Sequence, residues 1–511
     1  MPQGTQGRVV WIDRFKGLSR IANPDDSPQF TPDLSNVKLR FGRFMGRGGM
    51  AKYQSISDAA GASIIGLFNY RQVDGAHDLI RLLTNGVEHI SGGVWTSIEG
   101  DALSGSATTR PQATIIDDTL IFTPEGAVRP QKYAGSGTTE AITADAPYCK
   151  GLCAYLGWLF LFNVSDDGTF TDVTDGHRMG RYSDDWDNDW SACVGNEIIL
   201  DETPGSWDAA GVIGRSMMCP KSDGVVRVTF TTSSPNKFHQ KLMPVDAGIV
   251  APLSWATLGQ AAGWFLGTDG VIYEVTEDAI KAVSYEVLEN LLIDTASLSK
   301  LKFSRGMVDP QNDIYYLFYD RTGLSNQLLN SFIGYNYRSK EFFKGTLGVS
   351  INACTDFKAS DQAAQQLIVA SPTLVENFDS SSATDDDGTA ISRYWTSNWQ
   401  RMKEYGWLYG VRVVAKRGSK SHIEVSFAFD NDSNFKYPQT QSLGGASTDD
   451  ENVYLDFKIP PTPCESVNIK IRCLHRGSSS TTEIRKVGFI VDNIHPVDQG
   501  RVRTSESSQV G

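Results

Sequence analysis

The chain has 511 residues, 40% of them hydrophobic and 21% charged, with 48 glycines. That is too long for one compact core and too apolar for disorder, so it divides into two or more folded units, one of them large if all-β. Sixty acidic residues against 47 basic ones give a formal net charge of −13, which excludes a surface that grips phosphates through a general excess of Lys and Arg, though not one past which nucleic acid slides.

The start, "MPQGTQGRVVWIDRF", has no apolar core of signal-peptide length. The longest apolar stretch, "LCAYLGWLFLFNV" at 152–164, is shorter than the roughly 20 residues of a membrane helix. The expectation is a protein made in a cytoplasm, without membrane insertion. Between Arg8 and Lys52 nine basic residues stand against four aspartates. Within it, "GRFMGRGGM" (42–50) is glycine-rich but lacks the Lys-Ser/Thr of a phosphate loop. Residues 1–55 read as an extended ribbon joining the next domain. It either meets an acidic partner, with Arg40, Arg43, Arg47 and Lys52 as the assembly interface, or caps its own neighbour as a solvated segment.

From residue 56 onward the hydrophobic period is two, and strand-like runs alternate with Gly, Asp, Asn and Pro turn signals. One run departs from this: "SYEVLENLLIDTASLSKL" (284–301) has helical spacing. Turns fall at Asn85-Gly86, Glu125-Gly126, Asp167-Gly168, Pro235-Asn236, Asp269-Gly270, near Gly323 and near Pro372. A recurrence of about 40 to 50 residues is the length of one propeller blade, which makes 56–378 a β-propeller of six or seven blades with an insertion near 184–220. Unrelated hairpins of a sandwich or barrel are the alternative. "WFLGTDGVIYEV" (264–275) reads as the inner strand, turn and outer strand of about the fifth blade, its Asp269-Gly270 pair being turn chemistry in which Gly supplies a positive φ.

The stretch "ENFDSSSATDDDGTAI" (376–391) is polar, and 379–391 reads as a linker. Five alternating strands follow, "GVRVVAKR", "HIEVSFAFD", "NVYLDFKI", "VNIKIRCL" and "IRKVGFIVD", which place a β-sandwich at 392–497 before a loose tail at 498–511. The fold class is thus all-β, a propeller followed by a C-terminal sandwich.

Chemical motifs are sparse. Asp185, Asp187 and Asp189 alternate as calcium loops begin, but Trp190 and Asn196 stand where such a loop needs Gly and Glu; they are the weak metal candidates, against a solvated loop anchored by two tryptophans. Seven scattered cysteines imply no complete disulfide framework or zinc site, and seven separated histidines form no ligand motif. "SDDGTF" (165–170) is one residue short of an Asp-box, and no nucleophile elbow, P-loop or dinucleotide fingerprint is present. The residues point to no cofactor and to a protein that is not an enzyme.

Four stretches in order carry a resemblance: "GLSRIANP…TPDLSNVKLRFGRFMGRGGM", "YLGWLFLFNV…HRMGRYSDDWDNDWS", "GIVAPLSWATLGQAAGWFLGTDGVIYEV" and "DIYYLFYD…FIGYNYRSKEFFKG". Together, over roughly 15–345, they resemble the tail hub, stabilisation or nozzle proteins of short-tailed bacteriophages. The pattern departs at Phe342 or Phe343, where that family has Trp, and in the length of the 184–220 segment. The resemblance implies a structural protein of the virion tail, forming a ring, a homohexamer, below the portal and adaptor. It would dock other tail proteins and frame a lumen through which genomic DNA is ejected without tight binding. A glycan-binding or glycan-degrading propeller is the alternative, and an extracellular scaffold is a more distant one.

Overall fold

The computed structural model describes residues 8–19, 29–53, 61–91, 93–106, 108–124, 128–165, 175–187, 190, 196–232, 237–285, 292, 298–321, 328–359, 364–416, 421–444, 452–475, 482–492 and 504–505. The chain is all-β: a seven-bladed propeller followed by a larger C-terminal sheet. The first blade takes Ile64–Arg71, His77–Leu83, Gly86–Ser91 and Val94–Ser97 as an antiparallel meander. Five more four-stranded sheets repeat this order, with Gln112–Ile116, Tyr148–Tyr155, Gly211–Ile213, Ala256–Leu258 and Arg305–Asp309 as their first strands.

The seventh blade is built from both ends of the propeller sequence. Ala353–Phe357, Gln366–Ala370 and Val375–Ser380 form three strands, and Gly49–Lys52 from the ribbon pairs antiparallel as the fourth, with Glu376 opposite Lys52. The N-terminal strand thereby covers the edge of the last blade and ties the ring closed.

Local turn chemistry accounts for the repeat. Asn85-Gly86, Asp269-Gly270 and Pro372 lie between the second and third strands of their blades. Gly270 has φ +77°, Asp269 Oδ1 accepts from Val271 N at 3.1 Å, and Tyr273 Oη donates to Asp269 Oδ2 at 2.7 Å. "WFLGTDGVIYEV" is in the fifth blade, but its strands are the second and third, Ala262–Leu266 and Ile272–Val275, rather than an inner and an outer one. Glu125-Gly126, Asp167-Gly168, Pro235-Asn236 and Gly323 lie outside the described residues. Pro235-Asn236 separates Gly224–Phe230 from Phe238–Leu242, the third and fourth strands of the fourth blade. Its equivalent between the second and third strands is Ser222-Asp223.

Two expected boundaries shift accordingly. Glu197–Ile199 completes the third blade, and Gly211–Ile213 and Ser216–Lys221 begin the fourth, so 184–220 is not one insertion. The supposed linker holds Asp385–Asp386, which joins the seventh-blade sheet beside Met50, and Thr389–Ala390, which pairs with it. In the helix-like run, the described helix is the short Leu298–Leu301.

Apolar faces between blades supply the core, neighbouring blades burying clusters such as Phe160, Phe162, Trp207, Met217 and Val228 between the third and fourth. The largest cluster is continuous from Trp264 and Tyr316 of the fifth and sixth blades, through Phe15, Leu39 and Phe44 of the ribbon, to Val411, Ile469 and Phe489 of the C-terminal sheet. Phe44 stands edge-on to Phe15 at 4.8 Å and stacks on Trp395 at 5.7 Å, at the centre of this join.

The C-terminal sheet has eleven strands, three of the five longest being Gln400–Lys416, Asn452–His475 and Glu483–Asp492. Asn452–His475 pairs along its first half with Gln400–Lys416 and along its last part with Ser421–Phe429 and Arg393–Thr396. One strand therefore serves both halves of the sheet, and inward residues from each half share one apolar cluster. The ribbon contributes Arg8–Ile12 against Glu483–Asp492, and Asp33–Ser35 against Arg393–Thr396.

Candidate functional site

Two polar regions stand out within this fold, the ribbon junction and the central channel. At the junction, the four proposed interface cations separate by burial. Arg40 is exposed and donates to Asn312 Oδ1 at 3.4 Å, Lys52 is exposed on the closing strand, and Arg43, 48% exposed, pairs with Glu483 at 2.8 Å. Arg47 is 1% exposed and makes a two-pronged contact with Asp386, Nη1 to Oδ1 at 3.0 Å and Nη2 to Oδ2 at 2.7 Å. Its Nε donates to Asn36 Oδ1, and its guanidinium lies 5.2 Å from the Phe378 ring. Arg47 is thus removed from the candidate interface, because a side chain enclosed by its own chain has no face left for a partner.

The same holds for part of the ribbon's charge. Lys38 pairs with Asp379, whose other oxygen accepts from Gly48 N at 2.7 Å. Arg393 Nε donates to the Arg47 carbonyl at 2.6 Å, and burial followed by the Arg47 charge pushes its pKa down to about 10. Two of the ribbon's nine cations, Lys38 and Arg47, thus meet acids of the 379–391 segment, and Arg43 meets Glu483. Beside that segment lies Glu376, fully buried, with neither carboxylate oxygen hydrogen-bonded among the described residues. Burial, then Asp387 and Asp386, push its pKa up to about 7, while Lys52 acts in the opposite sense.

Of the metal candidates, Asp185 and Asp187 are exposed and Asp189 lies outside the described residues. Trp186 and Trp190 are buried; Trp186 Nε1 donates to Asp117 Oδ2 at 3.1 Å, Trp190 Nε1 to the Trp186 carbonyl at 2.9 Å. Among the described residues no three His, Cys, Asp or Glu side chains converge as a metal would require. Cys149 and Cys153 are free and buried, and burial raises both thiols to about 12, the protonated and unreactive form.

The central channel takes lining residues from the first strand of every blade, which identifies those strands as the innermost. A cavity of about 660 Å³ occupies one end, with Arg71, Asp356 and Gln365 at its rim. Small residues set the bore: a Cβ at Gly306 would come within 2.2 Å of the Ser254 carbonyl oxygen, and one at Gly211 within 2.4 Å of the Trp255 indole nitrogen. Asp356 is held above the usual carboxylate range by burial, is opposed by Arg71, and accepts from Gln365 Nε2. It is the single carboxylate lining this cavity and the one at the other end. At the other end Arg305 enters a narrower cavity of about 210 Å³. Its Nη2 donates to the Ile65 carbonyl at 2.8 Å, and burial without a carboxylate neighbour pushes its pKa down to about 10.

None of the channel residues was singled out by the sequence. Arg305 sits in "KFSRGMVD", where nothing local separates it from a surface arginine at a strand start; only closing the ring places it.

No family model matches the chain, and no curated protein matches it in sequence. Among solved structures it is similar to the extracellular domain of a one-component system from B. thetaiotaomicron (TM-score 0.41, 11% identity), over 64% of this chain and 39% of that one, so it spans under half that domain's length. It is also similar to the Cps50 β-propeller domain of Myceliophteria thermophila (TM-score 0.39, 7% identity; 65% of this chain, 99% of that one). An exo-β-1,3-galactanase of Phanerochaete chrysosporium scores lower (TM-score 0.25, 10% identity; 87% of this chain, 100% of that one). At these values the likenesses carry no argument about chemistry.

Proposed function

We propose that this chain is a structural protein of a bacteriophage tail, a subunit of the nozzle or hub ring below the portal and adaptor. The observation that carries the reading is the ordered set of sequence stretches resembling short-tailed phage hub proteins, together with their positions in the fold. The "GLSRIANP…RGGM" stretch is the ribbon that knits propeller and C-terminal sheet into one packed body. Gly17 abuts the backbone of Phe342, and Leu18 N donates to the Phe342 carbonyl at 2.8 Å, so the first and last of the four stretches meet. A part welded in this way transmits load between neighbours, as a tail ring must. DNA passes through the lumen between subunits in this reading; the propeller's own cavity of about 660 Å³ is of small-molecule size. The net charge of −13 favours a lumen on which the duplex slides.

A glycan-degrading propeller fits less well, since retaining and inverting mechanisms alike need two facing carboxylates and the two channel cavities hold Asp356 alone. Negative-stain microscopy of purified protein and of virions tests the proposal. A ring, hexameric by the resemblance, is expected at the tail; a stable monomer missing from the particle overturns it. Depolymerisation of host surface polysaccharide that disappears in Asp356→Asn would move the assignment to the hydrolase.

A further inference from the structure

The narrow end of the propeller channel holds a cation that the fold leaves uncompensated. Arg305 begins the innermost strand of the sixth blade and reaches the backbone of the first, where Ile65 O is its one hydrogen-bond partner among the described residues. Around it stand Leu67, Phe68, Gln112, Leu152, Leu253 and Trp255. Asp356, the carboxylate of the larger cavity, is engaged by Gln365 and by the Arg71 charge at the other end. Arg305 is half-buried and has no acid set against it among the described residues, whereas Arg47, fully buried, meets Asp386. At Arg305 the remaining donors of a planar fork face an open cavity lined by backbone and by both apolar and polar side chains.

We infer that this end of the channel is a binding site for a small organic anion, a carboxylate or phosphate whose charged group sits on Arg305 and whose apolar body lies against Phe68 and Trp255. The cavity of about 210 Å³ limits the ligand to a compact molecule, and it opens towards the larger cavity, with which it shares Leu152, Trp255 and Cys354. Charge-assisted hydrogen bonds to the guanidinium supply the orientation. The site stands independently of the assembly proposed above, because it lies within one propeller.

Isothermal titration calorimetry of the full chain with benzoate, and separately with inorganic phosphate at constant ionic strength, tests it. Benzoate should bind at one site per chain, more tightly than phosphate, and Arg305→Gln should weaken it at least about tenfold. Arg71→Gln, at the opposite end, should bind like the unaltered chain. Equal binding by Arg305→Gln, or no binding of either anion, overturns the site; phosphate binding as tightly as benzoate overturns the role of the apolar wall. Should Arg305→Gln fail to fold, phenylglyoxal modification of the unaltered chain gives the same answer by mass spectrometry. Benzoate should shield Arg305, and an adduct yield at Arg305 unchanged by benzoate overturns the site.

Discussion

The ribbon junction encloses an arginine completely and the narrow end of the channel encloses one in part, and the fold treats the two in opposite ways. Arg47 meets both oxygens of Asp386, a side-chain amide and two aromatic rings. Arg305 meets one backbone carbonyl and an open cavity. The difference separates a charge that fastens two parts of one chain from a charge left available to something else. Burial of a cation alone therefore says little about its role; the counter-charge decides it.

Breaking the fastened site should have the largest effect. Arg47→Met leaves Asp386 buried and unpaired, and is expected to destabilise the chain by about 3–5 kcal/mol in chemical denaturation. The double variant Arg47→Met/Asp386→Leu should recover most of that loss; equal loss in both would mean that packing, not charge, holds the junction.

Glu376 lies at the same junction with the opposite fault, an acid without a bonded partner. Its folded pKa of about 7 exceeds the ordinary carboxylate value, so between about pH 4.5 and 7 the native state holds more proton than the unfolded one. Its contribution is accordingly favourable at low pH and is lost as pH rises through 7. Glu376→Gln should remove this slope and stabilise the chain above pH 7 by at most about 3 kcal/mol, measured as denaturation midpoints across that range. A slope unchanged in the variant would place the titration elsewhere.

Arg305→Met should change stability least, by under about 1 kcal/mol, because loss of one backbone hydrogen bond is set against relief of an unpaired charge. A loss as large as that of Arg47→Met would erase the contrast between the two sites.

How much of this was legible beforehand differs by feature. The Asp269-Gly270 turn was readable because a positive φ at Gly is a local requirement, and the structure has it. The strands "GVRVVAKR" and "HIEVSFAFD" were readable because alternation reports which face is buried, as it is in Ser421–Phe429. "NVYLDFKI" and "VNIKIRCL" have the pattern of two strands across "PPTPCES", since prolines signal a break, yet one strand runs through Asn452–His475. There a neighbouring strand overrides local preference: Gln400–Lys416 continues to pair across the proline-bearing stretch, with Trp407 opposite Pro463.

By itself the sequence determined what is set within a few residues: period-two strands, their turns, a blade-length recurrence and the change of character after the propeller. Tertiary structure alone decided what each charge meets. Arg47 and Asp386 are 339 positions apart and Arg305 and Ile65 are 240 apart, so their encounters depend on ring closure and on the ribbon's path. Those contacts leave no local periodicity in the chain, because a Coulombic or hydrogen-bonded partner is chosen by distance in space rather than along the backbone.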